Sequence, residues 1–129
     1  MEKVYPASIL RQFMYESEEW GRLLTFLKQE NVFYKSRLAE IVNTFEGGDI
    51  VDKAENFNED FLSQDRILNF LSEELKMQNI LLRKDLYMDG ELLSNMVRHQ
   101  KKLRADIEKT EEIFSGIKRN FSGFLASLL

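Results

Sequence analysis

Few side chains in this sequence could carry chemistry, and His99 is its only histidine. Helical bundles that hold two metal ions take a Glu-x-x-His pair from each of two helices. Here Met96 and Asn95 stand three and four residues before His99, so no carboxylate is available at either spacing. A lone histidine between Arg98 and Gln100 is typical of the rim of a bundle. We therefore predict no metal, no haem and no other cofactor.

Four carboxylates crowd one half of the predicted second helix: Glu55, Glu59, Asp60 and Asp65. Paired acids act as general acid and base only in a concave site that shifts their pKa values. A rod of packed helices offers no obvious pocket, and this spacing is also typical of a solvated acidic face. Cysteine is absent, and Gly47-Gly48 is not followed by the Gly-Lys-Ser/Thr pattern that cradles phosphates. We predict that the chain is not an enzyme.

The only dense basic cluster consists of Arg98, Lys101, Lys102 and Arg104. Such a cluster could contact phosphate or an acidic partner. No aromatic residue is interleaved to stack on bases, and the formal net charge is −4, so nucleic-acid binding is not favoured. Antiparallel pairing of helices would bring Arg104 level with Glu74, and Lys118 level with Asp60. We therefore expect these cations to form ion pairs at the rim.

The element that must position these residues is a long apolar stripe near the C-terminal end of the sequence. Steps of three and four residues from Leu93 to Leu128 reach eleven positions, and nine of them are apolar. The two polar members are Gln100 and Thr110. A spacing kept over five heptads places one stripe along a helix that needs partner helices to cover it.

The first helix shows the same spacing from Trp20 to Phe45, and Asn31 is its polar member. A buried Asn in a seam often sets the register of the helices, but a rim position in contact with water is the more ordinary interpretation. The start of this helix has two interpretations. Pro6 suits a first turn, whereas Ser17 followed by two glutamates is typical of an N-cap.

Two turns divide the helices. Gly47-Gly48 is the strongest helix breaker, because glycine adopts positive φ at a helix C-terminus without penalty, and Asp49 follows as a candidate N-cap. The second turn is predicted at Met88-Asp89-Gly90-Glu91, although a bent continuous helix is an alternative there. The sequence thus predicts helices at about 17–46, 50–87 and 91–128.

These features predict an all-α fold: one domain over residues 1–129, built as an elongated antiparallel up-down-up three-helix bundle with coiled-coil-like seams. A bundle this slender has little interior in which to bury fifteen aromatic residues, so we expect self-association as a homodimer. The side chains predicted to bind a partner are Trp20, Phe26, Phe33, Phe70, Phe121 and Phe124.

A resemblance to a known family rests on three features of the sequence. They are the segment from Trp20 to Leu38, which begins with tryptophan, the pair Phe57 and Phe61, and Phe121-x-x-Phe124-Leu125 near the end. The chain resembles a family of uncharacterised bacterial helical-bundle proteins, and the likeness covers most of its length through apolar positions. The resemblance implies a helical bundle. It brings no assigned activity and no functional residues.

No apolar run approaches the ~20 residues that span a bilayer, and Met1–Pro6 lacks the apolar region of a signal peptide. We therefore expect a cytoplasmic protein without membrane contact. The predicted function is a non-enzymatic protein-interaction or scaffold module that acts through helical seams. Alternatives are a small-ligand or metal-binding bundle, and weak nucleic-acid binding through the 98–104 cluster.

Overall fold

The computed structural model describes residues 7–83 and 90–129, which form three long α-helices. Helix α1 spans Ala7–Thr44, α2 spans Gly48–Arg83 and α3 spans Gly90–Ser127. α1 packs against α2 and α2 packs against α3, and these two ranges contain no strand. The predicted all-α three-helix bundle is confirmed. At 1.5 Å per residue, each helix is about 55 Å long.

Hydrogen bonds between helices establish the up-down-up arrangement. The Asn31 side chain of α1 reaches the Phe61 carbonyl of α2, and the Gln78 side chain of α2 reaches Gln100 of α3. Glu16 near the start of α1 pairs with Arg104 in α3. Glu30 of α1 pairs with Lys118 of α3, fourteen residues further along both helices, so α1 and α3 run in the same direction. Phe61 of α2 lies beside Phe121 of α3 whereas Gln78 lies beside Gln100, so α2 runs opposite to both.

Helix α1 begins ten residues before the predicted start at Ser17. Ser17 is buried inside the helix, so its interpretation as an N-cap is wrong. The cause is tertiary packing, since Leu10 and Phe13 rest on an apolar cluster at this end of the bundle, formed by Leu82, Leu93 and Met96. The alternative start at Pro6 lies outside the described residues.

The first turn follows the prediction at Gly47, whose φ of 126° is the left-handed conformation that glycine allows. α2 then begins at once, since the Gly47 carbonyl accepts a hydrogen bond from the Val51 amide at 3.4 Å. Asp49 consequently sits within the first turn of α2, and its assignment as N-cap is wrong. The predicted second turn involves Met88 and Asp89, which lie outside the described residues. α3 begins at Gly90.

The predicted seams form the core. Nine of the eleven positions on the α3 stripe are buried: Leu93, Met96, Gln100, Leu103, Ile107, Thr110, Phe114, Phe121 and Phe124. Around Phe121 the core is aromatic, and its ring lies 5.3 to 5.5 Å from those of Tyr34, Phe57 and Phe61. Edge-on contacts of this kind add to the energy of apolar burial. This aromatic core joins all three helices.

Candidate interaction surface

A second apolar stripe runs along α2 outside the core, and each of its members stands one residue before a core position. One residue turns an α-helix by about 100°, so this stripe points away from the core by that angle. We call it the outer α2 stripe, and its members are Ile67, Phe70, Glu74, Met77 and Leu81. Phe70 is 56% exposed and Met77 is 61% exposed.

The polar member of the stripe, Glu74, is engaged within the chain. Its carboxylate lies 2.9 Å from Nε2 of His99 on α3. This contact draws the charged end of Glu74 toward α3, so the surface between Phe70 and Met77 is less polar than the sequence indicates.

The exposed apolar area of α2 has the scale of a binding surface. Ile67, Phe70, Met77 and the neighbouring Ile80 are between 37% and 61% exposed. With roughly 200 Å² for a fully exposed large side chain, they present on the order of 400 Å². That value is within the range of the largest patches on monomeric proteins, which are often functional. It is also about half of what each partner contributes to a standard interface.

The structure divides the six side chains predicted to bind a partner. Trp20, Phe121 and Phe124 are buried, and Phe121 is completely covered. These three pack the core of the described chain and do not lie at its surface. Their seam positions on α1 and α3 explain the burial, because the other two helices cover those seams.

The three remaining aromatics, Phe26, Phe33 and Phe70, are all more than half exposed. Phe26 and Phe33 lie seven residues apart on α1, and Glu30, which bonds to Lys118 of α3, occupies the position between them. Arg37 follows at the next position of this face. The outer α2 stripe is longer, since Ile67, Phe70 and Met77 are all exposed.

Asn31 is completely buried, so the interpretation that it lies at the rim in contact with water is wrong. Its Nδ2 donates to the Phe61 carbonyl at 2.9 Å and also to Oδ1 of Asp65. Asp65 accepts a further bond from Nζ of Lys35 at 2.5 Å. Oδ1 of Asn31 is buried without a hydrogen-bond partner among the described residues. This cluster ties α1 to α2 at one level.

A polar layer crosses the bundle between α2 and α3. Nε2 of Gln78 donates to the Met96 carbonyl and to Oε1 of Gln100, each at 3.0 Å. Its orientation leaves Oε1 of Gln78 facing Nδ1 of His99 at 2.9 Å. Gln100 in turn donates to Glu16 on α1 at 2.9 Å. A buried amide pair that is fully hydrogen-bonded favours one alignment of the helices over others.

The basic cluster does not act as one unit. Arg104 donates to Glu16 of α1 rather than to Glu74, which corrects the expected pairing. Arg98 bonds to Asn95 within α3, and Lys101 and Lys102 are exposed. The Gln78–Gln100 bond does place residue 74 level with residue 104. The sequence thus predicts correctly how far along the bundle Arg104 lies, but not which helix its side chain faces.

The second expected rim pair is also wrong, since Lys118 bonds to Glu30 of α1 at 2.7 Å instead of Asp60. This hydrogen bond raises the pKa of Lys118. Burial opposes ionisation of Glu16, but the hydrogen bonds from Arg104 and Gln100 outweigh it and lower the pKa of that carboxyl group. Burial raises the pKa of Tyr34, which lies beside these pairs. Both ion pairs join α1 to α3.

The acidic half of α2 and the surface grooves are the regions that concern catalysis and the alternative of small-ligand or metal binding. Glu55, Glu59 and Asp60 are exposed, whereas Asp65 is held by Asn31 and Lys35. Across residues 7–83 and 90–129, no group of three or more His, Asp or Glu side chains could hold a metal ion. The concave regions at the described surface include three grooves of about 410 to 470 Å³.

Sequence reasoning missed Met77 and did not recognise the stripe as a unit. Ile67, Phe70, Ile80 and Leu81 indicate an apolar surface wider than one seam. The signal that joins them is the spacing 67, 70, 74, 77 and 81, which repeats the core spacing one residue earlier. Glu74 interrupts that pattern in the sequence, and only its contact with His99 shows that the interruption is small.

Within the described part of the chain, no helix combines the length and apolarity needed to cross a membrane. No protein-family model, curated protein or solved structure matches the chain.

Proposed function

We propose that this protein is a non-enzymatic interaction module that associates through the outer α2 stripe and forms a homodimer. The observation that supports this function best is the exposure of Phe70 and Met77 beside a complete core. These side chains are not needed to close the three-helix unit. Water-exposed apolar side chains at helical spacing are the surface that another helix covers.

The physical basis is the burial of apolar area. Covering on the order of 400 Å² on each copy would remove twice that area from water, which at about 25 cal/mol per Å² is a substantial driving force before the entropic costs of association. A two-fold dimer uses the same patch on both copies, so one stripe suffices for both sides of the interface. The chain contains no cysteine, and we propose that the module acts in the cytoplasm.

The test is the solution mass of the protein and of two matched variants. Phe70→Asp places a charge in the stripe, whereas Phe33→Asp places the same charge at a similarly exposed phenylalanine (60% against 56%) on α1. We expect the wild type and Phe33→Asp to have twice the 15.3 kDa chain mass by light scattering, and Phe70→Asp to be monomeric. Circular dichroism should show the same helicity for all three.

Two results would contradict the proposal. One is a wild-type protein that remains a monomer across the concentration range. The other is equal dissociation by both variants, because the dimer would then depend on exposed aromatic side chains in general and not on the outer α2 stripe.

A further inference from the structure

We infer that a groove between α1 and α2 is a second interaction site, and that its partner is an acidic amphipathic helix of another protein. We call it the α1–α2 groove; its volume is about 430 Å³. It faces away from the outer α2 stripe, because Lys76 at its edge precedes Met77 by one residue, or about 100° of turn. This inference goes beyond the proposed homodimer and does not depend on it.

The edges of the groove are cationic. Lys28, Lys76 and Arg83 line it, and its described lining contains no carboxylate. None of these three cations forms a hydrogen bond or an ion pair within the described chain, whereas the two cations between α1 and α3 are each held by a glutamate. Glu18 and Glu73 lie nearby in the sequence, but both are exposed and neither lines the groove. In a chain of formal net charge −4, this local excess of positive charge complements an anionic partner.

The spacing of the cations matches that of an α-helix. Gly21 and Leu75 lie at one level, since a methyl group on Gly21 would be 4.0 Å from Cδ2 of Leu75. Lys76 is therefore level with residue 20 of the antiparallel α1, eight residues from Lys28, and Arg83 follows Lys76 by seven residues. At 1.5 Å per residue these intervals are about 12 and 10 Å, which is close to one heptad of a helix. Carboxylates at heptad intervals on the two edges of a partner helix can thus meet all three cations.

Apolar side chains lie between the cations and beyond them. Leu24 and Leu75 are buried beneath the groove, and Ile80 at its edge is 48% exposed. Met14 and Val32 continue the α1 side of the groove at helical spacing, and they are 40% and 58% exposed. An apolar floor with basic edges suits a helix that has one apolar face and acidic flanks.

Other anions fit this arrangement less well. A single-chain fatty acid carries one carboxylate and would leave two of the three cations unpaired. A nucleic-acid strand carries one charge about every 3.4 Å along its axis, which is much closer than the spacing of the cations. The described lining of the groove also lacks an aromatic side chain on which a base could stack.

Gly21 keeps the groove open. Glycine is less favourable than alanine inside a helix. Beyond its chain neighbours and the backbone of its own helix, the nearest atom to an added methyl group is Cδ2 of Leu75 at 4.0 Å, which is an ordinary contact. Packing of α1 against α2 therefore does not require glycine at this position. A long side chain there would fill the groove without displacing the core.

The test uses the whole protein and a synthetic helical peptide of about 18 residues, with leucine at its a and d positions and glutamate at its e and g positions. The matched peptide has glutamine in place of every glutamate. In titration calorimetry we expect the acidic peptide to bind at least about ten-fold more tightly than the glutamine peptide, and added salt should reduce the difference.

Four variants locate the site. Lys76→Glu reverses a charge at the edge of the groove and Gly21→Gln fills the groove, so each should weaken binding of the acidic peptide by about five-fold or more. Lys102→Glu is the matched control, since it reverses an equally exposed class of cation on α3 and should change the affinity by less than about two-fold. Phe70→Asp should also bind normally, so failure of the proposed homodimer leaves this inference intact. Circular dichroism checks that each variant keeps its helicity, and Lys76→Glu suffices if Gly21→Gln does not fold.

Several results would overturn the inference. These are no binding of the acidic peptide at millimolar concentration, equal affinity for the two peptides, or equal weakening by Lys76→Glu and Lys102→Glu. Binding that Phe70→Asp abolishes would place the peptide on the outer α2 stripe instead. Displacement of the peptide by single-stranded DNA of equal charge would identify the groove as a nucleic-acid site.

Discussion

Arg104 of α3 donates two hydrogen bonds to the Glu16 carboxylate of α1, from Nε at 2.8 Å and from Nη2 at 2.7 Å. These two helices make fewer close backbone contacts with each other than either makes with α2. The two-point contact of guanidinium and carboxylate is geometrically specific. It therefore acts as a clamp between the two helices whose backbones approach each other least.

Substitution Glu16→Gln should reveal this clamp through its pH dependence. The lowered pKa of Glu16 means that the folded state favours the ionised carboxylate. Its contribution to stability is therefore fully present above the ordinary carboxyl pKa of about 4.5 and is lost as the pH falls through the lower, folded-state value. We expect the variant to be less stable by about 1 kcal/mol at pH 7, after allowance for partial exposure.

Urea unfolding at pH 7 and at pH 3 measures this difference, which should shrink at the lower pH. Glu19→Gln is the matched control, because Glu19 is an exposed carboxylate on the same helix. A variant Glu16→Gln whose deficit is the same at both pH values would show that packing, not charge, is responsible.

Substitutions of Asn31 should separate stability from alignment. Asn31→Leu removes a buried amide whose Oδ1 lacks a partner among the described residues, while Asp65 keeps its bond to Lys35. We expect this variant to be as stable as the wild type, or more stable by about 1–2 kcal/mol, because apolar replacements of buried polar groups are often neutral or favourable. Asn31→Ala leaves a cavity and should lose about 1–3 kcal/mol.

The predicted register-setting role of Asn31 has a separate readout. If the amide selects one alignment of α1 against α2, Asn31→Leu should show more than one set of amide peaks in its NMR spectrum despite its retained stability. A single, well-dispersed set of peaks would assign the alignment to the other contacts between the helices.

The glycines permit a comparison of backbone effects. Gly47 has a φ of 126°, so Gly47→Ala should destabilise the fold by about 1 kcal/mol. Gly123 lies within α3, and beyond its chain neighbours and the backbone of its own helix a methyl group there would meet no atom of the described chain within 4 Å. Gly123→Ala should therefore stabilise the fold by up to about 1 kcal/mol. Thermal unfolding of both variants checks the opposite signs, and a shift in the same direction would contradict them.

The aromatic core should be far more sensitive to truncation than the exposed aromatics. Phe121 is completely buried among rings from α1 and α2, so Phe121→Ala should cost about 3–5 kcal/mol. Phe33→Ala, at a position 60% exposed, should change the unfolding free energy by less than about 1 kcal/mol. Similar losses in chemical denaturation would show that Phe33 is covered in solution.

The helices and core positions follow from spacing alone because burial on one side of a helix repeats every three or four residues. The stripe from Leu93 to Phe124 illustrates this, since even its polar members Gln100 and Thr110 are buried. The start of α1 could not be predicted in the same way. It depends on the contact of Leu10 and Phe13 with α2 and α3, and the local Ser17 signal indicates a different start.

The partners of charged side chains were predictable only in part. Spacing determines how far along the bundle Arg104 lies, and the structure agrees with that level. Whether the Arg104 side chain faces α1 or α2 depends on how α3 is rotated about its own axis. The spacing of residues in the sequence does not determine that rotation. The outer α2 stripe could not be identified from the sequence for a related reason. Glu74 places a charge in the middle of its spacing, and the contact of that carboxylate with His99 is known only from the structure.

The polar layer of Gln78 and Gln100 separates the apolar interior into two compartments of unequal size. Leu82, Leu93 and Met96 lie on one side of it, with Leu10 and Phe13. The longer part of the interior lies on the other side. The small compartment can consequently open without exposing the large one, so its backbone amides should exchange with deuterium sooner than those around Phe114. Unfolding would then begin at this end of the bundle and pause at the Gln78–Gln100 layer before the large compartment opens.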